Sequence, residues 1–237
     1  MIIVGHRGAR NEAPENTVEG FIHAQQNGCA HFELDIQLSA DHELMVFHDS
    51  SLKRTTGIRK KLTSCESEFL QNLDARLNTP GWPGPTFIPT LEAVLDASPH
   101  VKHWQFEIKP DSRTRMSIIA HRLKQLIERR GIKDIVTITS SSRWFLQYLK
   151  ESSHIQSSTG LVAEWPVPEP VRTAQKLSCE YLCIHHRMVN AALIERAHAV
   201  GLHVSTWTVN QPEQIRLFQA LGVDSLITDN PTLALTR

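Results

Sequence analysis

The chain has 237 residues, of which 41% are hydrophobic and 21% charged, so a largely disordered protein is excluded and a sizeable core is possible. Its 25 basic side chains balance 25 acidic ones, which argues against a nucleic-acid partner. The 13 histidines are an unusually large share, and they supply groups that titrate near neutral pH.

Neither a signal peptide nor a membrane span is expected from the sequence. The chain begins MIIVGH, which is not the start of a basic segment followed by a long apolar one. No run approaches about 18 consecutive apolar residues. The four cysteines, at positions 29, 65, 179 and 183, do not have the spacing of a zinc site. Since they are expected to be reduced thiols in the core, we predict a cytoplasmic protein.

Short apolar or β-branched runs alternate with helical patterns along the chain. Strands are predicted at 2–5, 31–37, 44–47, 103–108, 135–139, 158–162, 181–184, 203–207 and 225–228. Helices are predicted at 17–27, 90–97, 113–130, 142–150, 169–176, 190–200, 212–220 and 231–235. If residues 44–47 extend the second strand, eight βα units remain. We therefore predict an α/β fold, a (β/α)8 TIM barrel forming a single domain over residues 1–237. An open doubly wound sheet is the alternative.

Two local features refine this prediction. Asn16 is a candidate N-cap of the first helix, because Glu19 stands three residues further on in capping-box spacing. Residues 50–89 are too long for an ordinary βα connection and contain several prolines and glycines, with a short helical pattern near 66–73. We expect them to be an insertion after the second strand that covers one end of the barrel.

Functional groups of such barrels gather at the carboxyl ends of the strands, where this chain places two histidines. His6 and Arg7 follow the first strand, and His48 follows the run at 44–47. Two imidazoles at one rim could act as an acid and a base, and the planar guanidinium of Arg7 suits phosphate. A solvated surface turn, or a structural role for a lone histidine, is the alternative.

Three carboxylates are predicted to converge inside the barrel. Glu33 and Asp35 share one face of the second strand, and Glu107 shares a face with Lys109 two residues later. At about 5 Å and an effective dielectric of about 20, each carboxylate pair repels by roughly 3 kcal/mol. One lysine does not balance three carboxylates, so we predict a bound hard divalent cation, Mg²⁺ or Ca²⁺. A structural ion-pair network with Lys109 and Arg7 is the alternative.

Other polar or aromatic residues also follow strands. Trp207 could form the wall of a pocket or simply pack in the core, and His185 and His186 could reach the same mouth. Ser142 and its neighbours are better interpreted as a helix N-cap than as ligands. No G-x-S-x-G motif is present, which argues against a serine hydrolase.

Six segments of the sequence together resemble the glycerophosphodiester phosphodiesterase family, and its soluble bacterial type in particular. The matching segments, in the family's order, are HRGARNEAPENT (6–17), FELDIQLSADHELMVFHDSSLKRTTG (32–57), IPTLEAVLD (88–96), FEIKP (106–110), WTVN (207–210) and GVDSLITDNP (222–231). They extend over nearly the whole chain. The sequence departs from the family at Arg76, where a glycine is common, and in the Pro/Gly-rich segment 79–85.

The resemblance implies metal-dependent hydrolysis of glycerophosphodiesters, such as glycerophosphocholine or glycerophosphoethanolamine, to sn-glycerol 3-phosphate and an alcohol. It implies that His6 and His48 are the acid and base. By the same resemblance Glu33, Asp35 and Glu107 bind the divalent cation, Arg7 and Lys109 bind the phosphate, and Trp207 lines the glycerol side. The expected partner is a small-molecule substrate.

Two other functions remain possible at this point. A phospholipase-like enzyme acting on lipids would need an apolar rim or an amphipathic helix near the mouth, and no basic amphipathic segment is visible. A non-catalytic module that binds phosphate ligands would be favoured by the loss of a histidine or a carboxylate, and none is lost.

Overall fold

Eight parallel strands close into a ring in the computed structural model, which describes residues 1–236. They are β1 (Ile2–His6), β2 (His31–Leu38), β4 (His103–Ile108), β5 (Val136–Ser140), β6 (Ser158–Ala163), β7 (Tyr181–His185), β8 (His203–Trp207) and β9 (Ser225–Thr228), with β3 (Leu44–Val46) outside the ring. β9 pairs with β1, and β1 pairs with β2, which closes the barrel. The predicted (β/α)8 TIM barrel is therefore confirmed, and the open sheet is excluded.

The segment 44–47 is not an extension of the second strand, as the sequence analysis assumed. β3 pairs antiparallel with the end of β2, so that Ile36 lies opposite Val46 and Leu38 opposite Leu44. The chain reverses in a tight turn in which the Ser39 amide donates to the Glu43 carbonyl, and His42 adopts a left-handed conformation with φ 66°. The reversal brings the residues after β3 back over the barrel rather than away from it.

Helices surround the barrel and connect its strands. They are α1 (Val18–Gln26), α2 (Lys53–Thr56), α3 (Ser67–Gln71), α4 (Leu91–Ala97), α5 (Arg113–Arg130), α6 (Arg143–Tyr148), α7 (Pro170–Lys176), α8 (Ala191–Ala199), α9 (Pro212–Ala220) and α10 (Pro231–Leu235). The longest, α5, begins at the Ser112 side-chain cap and ends at Gly131, whose φ of 64° suits a glycine. In residues 1–236, no helix combines the length and the apolar character that crossing a membrane requires.

The outward faces of the strands form the core between barrel and helices. Phe32, Leu34 and Ile36 of β2 are fully buried there, and Phe21 of α1 contacts both Phe32 and Trp104 edge-to-face at 5.5 Å. The alternate residues Glu33 and Asp35 are buried on the inward face instead. The same alternation that packs the core thus directs the carboxylates into the barrel.

The segment between β3 and α4 carries a small core of its own. Met45, Phe47, Leu52, Leu62 and Ile88 are buried together with α2 and α3. This core gives the segment a fixed shape, so its polar residues can hold positions relative to the barrel mouth.

The N-cap of α1 is Thr17, not Asn16 as the sequence analysis expected. The Thr17 hydroxyl accepts from the Gly20 amide at 3.1 Å. Asn16 instead takes a left-handed conformation with φ 54°, and its side-chain amide donates to Asp35 at 2.8 Å. A residue expected to serve local structure is thus part of the polar cluster inside the barrel.

Candidate active site

A cleft of about 420 Å³ opens at the carboxyl ends of the strands. Its lining residues come from strands and loops all around the ring. They include seven of the eight predicted site residues, namely His6, Arg7, Glu33, His48, Glu107, Lys109 and Trp207. The eighth, Asp35, lies behind this surface and is 1% exposed. The structure therefore brings all eight predicted residues to one place.

The three carboxylates converge as predicted. Asp35 lies beside Glu107 in the register of β2 and β4, and one oxygen each from Glu33, Asp35 and Glu107 lies within 4.8 Å of the other two. Burial, followed by repulsion from Asp35 and Glu107, raises the pKa of Glu33 well above its usual range. Glu33 Oε1 is buried and has no hydrogen-bond partner in the described part of the chain.

Two cations contact this cluster, so the ion-pair network considered above also exists. Lys109 Nζ lies 2.7 Å from Asp35 Oδ1 and contacts Glu107, and Arg7 Nε lies 3.0 Å from Asp35 Oδ2. Burial disfavours the charged carboxylate of Asp35, but Lys109 and Arg7 outweigh it and hold the pKa of Asp35 below its usual range. Both oxygens of Asp35 form ion pairs, whereas Glu33 Oε1 has neither an ion pair nor a hydrogen bond within residues 1–236.

These residues fit a divalent cation. Three carboxylates face two cations, and one of these, Arg7, also pairs with Glu15 at 2.8 Å, so negative charge remains in excess. An all-oxygen donor set with an orphaned buried oxygen suits a hard ion such as Mg²⁺ or Ca²⁺. The cation–carboxylate pairs do not close the site, because Glu33 and Glu107 both line the open cleft.

His6 is held from behind by Asp229. His6 Nδ1 lies 2.5 Å from Asp229 Oδ1, and Asn210 donates to the other oxygen of this carboxylate at 2.7 Å. His6 Nε2 faces the carboxylate cluster, 3.8 Å from Glu33 Oε2. Burial lowers the pKa of His6, although the hydrogen bond with Asp229 opposes this. The arrangement fixes the ring and leaves Nε2 toward the cleft.

The second histidine, His48, has a matching partner. His48 Nδ1 lies 2.6 Å from Asp49 Oδ1, and Arg54 of α2 holds Asp49 through two hydrogen bonds of 2.8 and 3.0 Å. Burial favours the neutral carboxyl of Asp49, but the hydrogen bonds from Arg54 and His48 lower its pKa to about 2. The His48 side chain is more exposed than that of His6, at 34% against 9%, so it lies nearer the rim.

Glu15 connects the two halves of the site. Its buried carboxylate accepts from Arg7 at 2.8 Å, from Arg54 at 2.6 and 2.8 Å, and from Asn78 at 3.0 Å. Burial opposes its ionisation, yet Arg54 and Arg7 lower the pKa of Glu15 to about 2. Through Glu15, the segment that carries Arg54 and Asn78 is tied to Arg7.

The backbone around Arg7 explains how the guanidinium reaches this position. Arg7 has φ 52° and Gly8 φ 89°, and the Arg7 amide donates to Glu33 Oε2 at 3.2 Å. A Cβ at Gly5 would lie 2.2 Å from the Gly8 carbonyl oxygen, so only glycine fits there. The tight turn after β1 thus points both His6 and Arg7 into the cleft.

Trp207 lines the cleft opposite the carboxylates. Its indole Nε1 is buried and has no hydrogen-bond partner among residues 1–236, and His185 packs edge-to-face on the ring at 5.1 Å. His185 and His186 stack on each other at 4.4 Å but do not line the cleft. As expected, Ser142 caps α6 by accepting from the Phe145 amide.

Sequence reasoning assigned no role to Asp229, Asn210, Asp49, Glu15 and Arg54. Asp49 and Asp229 were visible as polar residues that close strands, the signal used for the other site residues. Glu15 lies in a loop and Arg54 in the short helix α2, and their proximity depends on the path of the hairpin, which no periodicity reveals. They became apparent only from the hydrogen bonds of the folded chain.

The family comparison covers almost the whole chain. Residues 6–233 match the model of the glycerophosphoryl diester phosphodiesterase family. The chain is 30% identical over 234 residues to a glycerophosphodiester phosphodiesterase of Bacillus altitudinis, which covers 98% of this chain and 96% of that protein. It is 24% identical over 267 residues to a human lysophospholipase D, covering 97% of this chain and 83% of that protein.

Solved structures share the fold. A phosphodiesterase of Oleispira antarctica, determined in complex with the product sn-glycerol-3-phosphate, superposes with a TM-score of 0.91 at 22% identity over 100% of this chain and 96% of that one. A glycerophosphodiester phosphodiesterase from Agrobacterium tumefaciens gives a TM-score of 0.86 at 24% identity, with both chains fully covered.

Proposed function

Because the chain belongs to the glycerophosphoryl diester phosphodiesterase family and is therefore a phosphodiesterase, we propose that it hydrolyses glycerophosphocholine, glycerophosphoethanolamine or close analogues, releasing sn-glycerol 3-phosphate and an alcohol. One observation carries this proposal. Two carboxylate-anchored imidazoles, His6 and His48, stand at one cleft with a three-carboxylate cluster. The expected ligand is a small molecule.

Glu33, Asp35 and Glu107 would hold a divalent cation, Mg²⁺ or Ca²⁺. Bound there, the ion would supply positive charge to a phosphate oxygen of the diester. Arg7 and Lys109 stand beside this position and would share the remaining negative charge of the phosphate. Since phosphoryl transfer depends mostly on positioned positive charge, these residues carry much of the catalysis.

The two histidines would move the protons. We assign the base to His6, because its Nε2 lies deep in the cleft near the carboxylates, where the nucleophile must approach the phosphorus. We assign the acid to His48, whose place near the rim suits protonation of the alkoxide of the departing alcohol. The nucleophile is either water or the glycerol 2-hydroxyl; the second route forms a cyclic phosphate, which water then opens.

Trp207 would contact the glycerol side of the substrate. Its ring offers an apolar wall that the carbon atoms of glycerol can contact. The single-domain organisation over residues 1–237 and the cytoplasmic location stay predictions; Arg237 lies outside the described residues.

A coupled assay for released glycerol 3-phosphate tests this function. Purified protein is assayed with a panel of glycerophosphodiesters, before and after chelation, and again after Mg²⁺ or Ca²⁺ is restored. We expect turnover that chelation removes and one of the two ions restores. Activity that chelation leaves untouched would contradict the role of the cation, and no release from any diester would contradict the substrate class.

A further inference from the structure

A basic groove lies beside the cleft on the outside of the barrel. It has a volume of about 650 Å³, and Arg113, Arg143 and Lys176 line it together with Trp144, Leu177 and Pro168. The Arg113 guanidinium stacks over the Trp144 ring at 5.4 Å. No carboxylate lines this groove within residues 1–236. A groove with an apolar floor and a cationic rim suits an amphipathic anion.

One end of the basic groove reaches the rim of the cleft, because the same three connections form parts of both. The loops that follow β4, β5 and β6 all contribute to the cleft lining, with Lys109 and Pro110, Ser141, and Glu164 respectively. A few residues further along the chain, each gives another residue to the groove, and these are Arg113, Arg143 and Pro168. A ligand that contacts Arg113 and Arg143 therefore lies next to the cleft mouth.

The loop after β6 also projects two large apolar side chains into solvent. Trp165 is 70% exposed and Val167 is 81% exposed, more than any other large hydrophobic side chain in the described residues. Two large apolar side chains exposed on one short loop are unfavourable in water and are typical of an interaction surface. A tryptophan in particular suits the interface between lipid and water.

The acidic residues of this loop do not cancel the positive charge of the groove. Glu164 is turned to the cleft, which it lines. Glu169 caps α7 by accepting from the Arg172 amide at 2.7 Å and lies 3.6 Å from Arg196. The rim of the groove therefore stays cationic toward a docking partner.

We propose that this face docks on an anionic phospholipid surface. Trp165 and Val167 enter the interface, while Arg113 and Arg143, which begin α5 and α6, contact lipid phosphates. Each such basic group contributes roughly fivefold to partitioning onto an anionic surface. Docking places the cleft mouth at the level of the headgroups. The inference does not depend on the proposed substrates, because it concerns a surface outside the cleft.

Vesicle co-sedimentation tests this proposal. The full-length protein is mixed with vesicles of phosphatidylcholine alone, or of phosphatidylcholine with 30% phosphatidylglycerol, at low salt. We expect binding to the anionic vesicles and at least tenfold weaker binding to the neutral ones. The double variant Trp165→Ala/Val167→Ser and the double variant Arg113→Glu/Arg143→Glu should each lose at least tenfold of the binding to anionic vesicles.

The controls use the opposite end of the barrel. Val200→Ser replaces an exposed apolar residue, and Lys133→Glu reverses a charge that precedes β5; both should bind like the wild type. Turnover of a water-soluble glycerophosphodiester should be unchanged in all the variants, which separates docking from catalysis. Equal binding to both vesicle types, no binding at all, or full binding by the loop or groove variants would each overturn the proposal.

Discussion

Both histidines of the site have Nδ1 anchored by a carboxylate, and each carboxylate has a second partner of its own. Asp229 is held by Asn210, and Asp49 is held by Arg54. This anchoring fixes the ring orientation and the tautomer, so Nε2 can serve as the working atom. The difference between the two imidazoles is their depth in the cleft, and the assignment of base and acid rests on it.

Activated substrates distinguish the two histidines. An alcohol with a low pKa leaves without protonation, so His48→Ala should retain much of its activity toward a diester of such an alcohol. His6→Ala should instead lose activity toward activated and natural substrates alike, by roughly 100-fold or more. The pH–rate profiles of both variants check this assignment. His121→Ala, an exposed histidine of α5, is the control and should behave as the wild type. Retained activity only in the His6 variant would reverse the assignment.

At the residue scale, the sequence predicted the cluster well because strand alternation is a strong constraint. Glu33, Asp35 and Glu107 had to share the inward face once β2 and β4 were recognised. Asn16 was misinterpreted as an N-cap, because its left-handed conformation and its contact with Asp35 depend on the turn that also positions Arg7. Side-chain contacts between loops distant in sequence carry no local signal of this kind.

The elements around β3 decide whether His48 reaches the cleft. The antiparallel hairpin returns the chain to the mouth, and α2 then places Arg54 between Asp49 and Glu15. The sequence located strands to within about two residues, but it could not distinguish a strand extension from a hairpin. The two alternatives differ only in the turn at 39–43, where His42 takes a conformation that non-glycine residues seldom adopt.

Removing the Arg54 guanidinium tests this coupling. Losing its charge-assisted hydrogen bonds costs about 1.5–3 kcal/mol of positioning free energy, so Arg54→Ala should lower kcat roughly tenfold or more and leave KM nearly unchanged. Arg54→Lys should recover part of kcat, since it keeps the charge but not the two-pronged geometry. Arg59→Ala, on the same segment, is the matched control. Unchanged kcat in Arg54→Ala would show that Asp49 needs no support.

At the scale of the whole molecule, the two ends of the barrel differ in chemistry. The carboxyl end holds the charged cleft, whereas the amino end is closed by rings: His103 stacks on Tyr181 at 5.8 Å, and Tyr181 lies 4.3 Å from His203. Burial, followed by His31 and His203, lowers the pKa of His103 to about 4. The closure was not predicted from the sequence, although four strands begin with these four residues.

Acid should destabilise the fold through this end. The unfolded chain takes up a proton on His103 near pH 6.5, whereas the folded chain does so only near pH 4. The contribution of neutral His103 to the free energy of unfolding is therefore complete above pH 6.5 and is lost as the pH falls from 6.5 to 4. The loss for His103 is on the order of 3 kcal/mol. Denaturant unfolding should show one transition and give the free energy of unfolding at each pH. In His103→Gln this free energy should vary less between pH 6.5 and 4 than it does in the wild type. An identical pH dependence in the variant would contradict this assignment.

Direct measurement of cation binding tests the central claim, that three buried carboxylates hold one hard divalent ion. Calorimetric titration of the metal-free protein with Mg²⁺ and with Ca²⁺ should give one site per chain for at least one of them. Glu107→Gln and Glu33→Gln should lose that binding while keeping the circular dichroism spectrum of the wild type. Undiminished binding in these variants, or no saturable binding by the wild type, would contradict the account.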